Sequence, residues 1–111
     1  MKEEIRRAIA YAAAEKISGH AGTLYSYEKG QHTPMSGSGS SFYDHDAGAH
    51  ISVSNSGMYH YGTGGHINLT VNGNSFSGYD YESGDHFQGS VNNRSVQLYD
   101  FGEGRHFNYS V

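Results

Sequence analysis

Five copies of one pattern, aromatic-x-aromatic/His-x-x-Gly-x-His, divide most of this chain: Tyr25 to His32, Tyr43 to His50, Tyr59 to His66, Tyr79 to His86 and Tyr99 to His106. Their starts lie 18, 16, 20 and 20 residues apart. Self-similarity at so short a period marks a repeat architecture in which each copy is one supersecondary unit. From Leu24 onward the residues alternate in character, so each copy reads as two short strands around a glycine-containing loop.

In the last copy the pattern predicts a strand from Val96 to Phe101, a loop Gly102-Glu103-Gly104-Arg105 and a return from His106 to Val111. The repeated glycine (Gly30, Gly48, Gly64, Gly84, Gly104) then falls third in the loop, where a type I turn closed by a left-handed residue needs it. A four-residue loop separates two faces. One is aliphatic and includes Phe42, Ile51, Ile67, Leu69, Val71, Val96, Leu98 and Phe107. The other is polar and carries the repeated Tyr and His with Asn68, Gln88, Gln97 and Asn108. A three-residue loop with a bulge is the competing register and would pair Asp80 with His86 and Asp100 with His106.

Residues 1–19 predict an amphipathic helix: Glu3 and Glu4 favour its first turn, Gly19 stops it, and Ile5, Ala8, Ile9, Ala12, Ala13 and Ile17 make a narrow apolar stripe. The expected fold is therefore mainly β and a single domain over residues 1–111. The helix precedes an antiparallel meander of about five repeated hairpins in residues 24–111, with roughly eight to ten short strands, curled or barrel-like. The first repeat is irregular, with Pro34 and a Ser/Gly-rich linker at 36–41. A β-solenoid with a helical cap is the alternative. Asn72-Gly73 and Asn92-Asn93 argue against it, because a two-residue reversal cannot span the ~10 Å between packed sheets.

A flat sheet of this many strands would leave much of its aliphatic face bare, since one helix ~10 Å across covers about two strands. The sheet either closes on itself with the helix inside or across the opening, or it meets a second copy. The short strands favour a homo-oligomer joined through Ile67, Leu69, Val71, Val96 and Leu98.

The composition narrows function by exclusion. A net charge of −4 without basic runs gives no footprint for nucleic acid or an anionic membrane. The absence of Cys excludes thiolate metal sites and disulfides. Ala8 to Ala14 is too short for a membrane span and poor as a signal peptide, so the cytoplasm is the default expectation, with export by a signal-less route left open.

No catalytic constellation stands out, and no cofactor or enzymatic activity is expected. Asp44, Asp80 and Asp100 each sit beside a turn and read as acceptors for its amides or as solvent-facing groups at the rim. The remaining readings are of surfaces. A structural or protein-interaction module that self-associates comes first. A multivalent carbohydrate-binding face using Tyr59, Tyr61, Tyr79, Tyr81, Tyr99 and Phe101 comes second. Metal binding within the group His45, His50, His60 and His66 comes third, limited by the 9–10 Å that separates side chains two strands apart. Eight His also raise the expectation that acid, moving the charge from −4 toward +4, alters assembly.

Overall fold

A computed structural model describes residues 1–37 and 39–111. Helix α1 (Glu3–Ser18) is followed by ten strands: β1 (Thr23–Ser26), β2 (Gln31–Ser36), β3 (Ser41–Asp44), β4 (Ala49–Val53), β5 (Gly57–His60), β6 (Gly65–Asn72), β7 (Ser75–Asp80), β8 (Asp85–Asn92), β9 (Ser95–Asp100) and β10 (Arg105–Ser110). Each strand pairs antiparallel with the next, and β1 pairs with β10, so the meander closes into a barrel. Within the Ser/Gly-rich linker, Ser38 lies outside the described residues.

Closure puts α1 inside. Ala8, Ile9, Ala10, Tyr11, Ala12, Ala13 and Ala14 are all fully buried, on every side of the helix rather than along one stripe. The small side chains are what allow this: an Ala-rich helix is thin enough for a wall to approach from all directions. Around it pack inward residues of the strands, among them Leu24, Phe42, Ile51, Met58, Leu69, Phe87, Leu98 and Phe107. Two glycines complete the fit. Gly78 stands opposite Phe87 and Gly89 opposite Phe76, and a methyl group at either would lie 2.6 or 2.5 Å from the facing ring. Large and small residues thus alternate across the narrow interior.

The loops of all five repeats gather at the end where the helix begins, and their register differs by one residue from the sequence expectation. The loops are 27–30, 45–48, 61–64, 81–84 and 101–104, with Asp100 opposite Arg105 and Tyr99 opposite His106. The left-handed glycine is the fourth loop residue, and its N–H closes the turn onto the carbonyl of the last strand residue, as Gly104 does to Asp100 at 2.7 Å. Moving the whole loop by one position shifts the pairing by two, which preserves the two faces. The bulged register does not occur: His86 and His106 pair with Tyr79 and Tyr99, not with Asp80 and Asp100.

The first hairpin is joined least extensively. β2 meets β3 over two residue pairs and β1 meets β10 over two, against six between β6 and β7. Pro34, which has no N–H to donate, lies in β2 and still accepts from His45. The two-residue reversals form one position later than the sequence suggests, at Gly73-Asn74 and Asn93-Arg94 rather than Asn72-Gly73 and Asn92-Asn93, with Gly73 and Asn93 left-handed.

Candidate functional site

Each hairpin carries the same aromatic cluster on the outside of the barrel. A central Tyr packs against the His directly across the hairpin, with ring centroids 4.6–4.8 Å apart for Tyr25–His32, Tyr43–His50, Tyr59–His66, Tyr79–His86 and Tyr99–His106. The first loop residue adds an edge-on ring: Tyr27, His45, Tyr61, Tyr81 and Phe101, at 4.7–5.0 Å. The central rings are half-buried, and in four hairpins the Tyr hydroxyl lies alongside the left-handed glycine, 3.5 Å from where a methyl at Gly84 would stand. This Tyr thus braces its turn, and the outer members of the cluster remain free. Tyr61 and Tyr81 are each 63% exposed and Phe101 51%.

Backbone pairing aligns neighbouring clusters. The N–H groups of Tyr61, Tyr81 and Phe101 donate to the carbonyls of His50, His66 and His86 across three seams, at 3.0, 3.1 and 3.1 Å. The belt therefore runs in register from Tyr43 to His106. It breaks at the first hairpin, where Tyr27 faces Asn108 and His45 faces Pro34. Farther from the loop end, exposed Asn68, Gln88 and Asn108 occupy equivalent positions two residues beyond the repeated His, with Ser77 and Gln97 between them. Open clefts cross this wall. One of 520 Å³ includes Gln88, Gln97, Tyr99 and His106, and another of 470 Å³ includes Asn68, Tyr79, His86, Gln88 and Phe101.

The inward face holds a second repeated position, the last strand residue before each loop: Ser26, Asp44, His60, Asp80 and Asp100, all buried. Every one accepts from an amide of its own loop. Asp44 takes Asp46 and Ala47, Asp100 takes Gly102 and Glu103, and His60 Nδ1 takes Thr63 at 3.2 Å. Asp80 accepts from Glu82 N–H and Ser83 Oγ, and Ser26 Oγ from Lys29. The start of α1 supplies cations to this ring. Arg7 pairs with Asp44 at 3.0 Å, and Arg6 and the Met1 amine pair with Asp100 at 3.0 and 3.1 Å. Burial alone would raise the Asp100 pKa, but these hydrogen bonds outweigh it and hold the carboxyl below its ordinary range. Burial pushes His60 below its usual value, with Arg7 adding to the shift and Glu4, Asp44 and Glu82 opposing it.

The sequence-predicted residues therefore separate. Tyr59, Tyr79 and Tyr99 are the braced centres, while Tyr61, Tyr81 and Phe101 are loop residues rather than strand residues. His45 and His50 both pack on Tyr43, His66 packs on Tyr59, and His60 points into the barrel, so the four His do not converge. Among the described residues no group of three or more His or acidic side chains is placed to hold a metal. Ile67, Leu69, Val96 and Leu98, expected at a subunit contact, are buried within the single chain, and Val71 is 37% exposed at the far end. Barrel closure removes the bare aliphatic face on which that contact was expected.

Sequence reasoning missed the seams between hairpins at the loop end. There the second loop residue of one hairpin meets the first return-strand residue of its neighbour, and the pairs are complementary. Glu28 and Arg105 form a two-point ion pair at 2.9 and 3.0 Å, and Gln31 donates to Asp46 at 3.0 Å. Elsewhere a glycine makes room: Gly62 for Ala49, Gly65 for Glu82 and Gly102 for Asp85. No helix is long and apolar enough to cross a membrane among the described residues. No protein family, curated protein or solved structure matches this chain.

Proposed function

We propose that this protein is a non-enzymatic binding module that takes carbohydrate on its outer wall at several places at once. One observation carries the reading: an in-register belt of exposed aromatic rings stands beside rows of exposed amides, on a surface that the fold does not need to bury. A sugar ring presents an apolar C–H face and a rim of hydroxyls, which suit an aromatic plane and neighbouring Asn, Gln and His side chains. The aliphatic face is occupied by α1, and the buried acids are each engaged by turn amides, with Arg or the amine added at two of them.

The test is titration of the intact protein with a panel of oligosaccharides, followed by calorimetry and tyrosine fluorescence. Tyr81→Ala combined with Phe101→Ala should weaken the response markedly, leaving the clusters around Tyr61 and Tyr43, while keeping the melting temperature close to that of the parent, because both rings are more than half exposed. Tyr79→Ala should lower the melting temperature as well, since that ring braces its turn. A panel without any response, or a double variant that binds as the parent does, contradicts the reading.

A further inference from the structure

At the five seams, four of the facing pairs satisfy themselves. Glu28 is held by Arg105, Asp46 accepts from Gln31 and Thr33, Asp85 accepts from the Met1 amine at 3.2 Å, and Ala49 meets only Gly62. The fifth is different. Glu82 faces Gly65, its carboxylate accepts no hydrogen bond among the described residues, and its one cation is the exposed Lys2 Nζ at the long distance of 3.8 Å. The same carboxylate borders an open cleft of 490 Å³ lined by Gly64, Gly65, His66, Tyr81 and Glu82. A cleft of this size falls within the range of small-ligand sites.

From this geometry we infer that the Tyr81–Glu82–His66 cleft is a cation-recognising subsite, and that its occupant is a sugar bearing a free, protonated amine. The inference rests on the carbohydrate reading and specifies the ligand at one seam. The Tyr81 ring attracts an ammonium through its negative face and also covers the sugar's C–H groups. Glu82 supplies the charge-assisted acceptor, and His66 borders the cleft as a polar partner for a neighbouring hydroxyl. Gly65 matters because a methyl there would come within 3.1 Å of Glu82 Cβ and crowd the carboxylate's approach. Of the other two in-register seams, one pairs Gly62 with Ala49 and has no carboxylate, and in the other Gly102 makes room for Asp85, whose carboxylate is already held by the Met1 amine. Lys2 is then a competitor, a weak ion pair that the ligand's ammonium displaces.

The experiment compares glucosamine oligomers with their N-acetylated counterparts by calorimetry on the intact protein, at neutral pH and low salt. The expected result is that the free-amine oligomer binds more tightly, by roughly tenfold, with the difference shrinking as salt is added. Glu82→Gln should remove most of the difference between the two oligomers, leaving only what the Tyr81 ring contributes, and Lys2→Ala should strengthen binding of the free-amine form. Equal affinity for both oligomers in the parent, or a preference that Glu82→Gln leaves undiminished, overturns the inference while leaving the carbohydrate reading in place. Lysine peptides that bind through Glu82 when neither oligomer does would assign the cleft to a protein-borne cation and overturn the sugar assignment. Absence of binding by either oligomer overturns the inference, and silence across the wider glycan panel removes the carbohydrate reading too.

Discussion

His60 is the one imidazole among the five inward residues that cap the loops, and it makes the hairpin it caps sensitive to acid. Its Nδ1 accepts the Thr63 amide, so the neutral ring carries its proton on Nε2, which is buried with no partner among the described residues. Protonation would put a hydrogen where the Thr63 N–H already points and would charge a buried ring. The folded pKa lies below the ordinary 6.5, so the unfolded chain takes up this proton first. The contribution to stability is fully present above the ordinary 6.5 and is lost as the pH falls from there through the lower folded value. His60→Asn keeps an acceptor without titrating. It should therefore show a smaller drop in melting temperature than the parent between pH 7 and pH 5; equal drops would rule His60 out as the source.

Asp100 behaves oppositely in position on the pH scale. Its depressed pKa means that its contribution persists until the pH falls below the ordinary carboxyl value of 3.8. Asp100→Ala would remove the carboxylate that Arg6 and the Met1 amine share, leaving Arg6 with Glu3 and the amine with Asp85, and should cost on the order of 3 kcal/mol in urea unfolding. Asp80→Ala removes only turn hydrogen bonds and should cost about 1–2 kcal/mol. Equal losses would show that the Arg6 pairing adds nothing. The sequence placed these acids beside turns and as acceptors of turn amides. It could not place them inside the wall, because the cations that make their burial tolerable come from a helix about 40 to 90 residues away in the chain.

At the scale of the elements, each hairpin was legible because its signals are local: alternation, an obligatory glycine and a Tyr that meets its own His. The loop boundary was misplaced by one residue because Tyr81 and Phe101 look like strand residues, although the backbone has already turned at them. The seams had no local signature. Gly62 and Ala49, or Glu28 and Arg105, become partners only once hairpins lie side by side, and their complementarity helps to fix which hairpin neighbours which. The Glu28–Arg105 pair spans the closing seam, where β1 and β10 share just two residue pairs. Reversing Glu28 to Arg should lower the melting temperature and speed amide exchange in β1. Adding Arg105→Glu to that variant should restore both. A double variant no more stable than the single one would show that the seam does not depend on this pairing.

The whole molecule turns on where the aliphatic face goes. Treating the sheet as flat leaves most of that face uncovered by one helix and calls for a second chain. Closing the meander lets ten strands share the same helix, and the run of alanines between Ala8 and Ala14 is what makes the shared interior narrow enough to fill. The alanines were visible in the sequence, but their meaning depended on closure, which in turn depended on a short and weakly patterned seam at the first hairpin. With the interior satisfied, the outer aromatic belt becomes the surface available for recognition. Solution mass by light scattering at neutral pH tests this most directly. The account predicts a particle near 12.1 kDa, a single chain closed around its own helix. A larger defined particle that Leu69→Asp or Leu98→Asp dissociates into folded single chains would contradict it, because those side chains would then be joining subunits rather than filling one barrel.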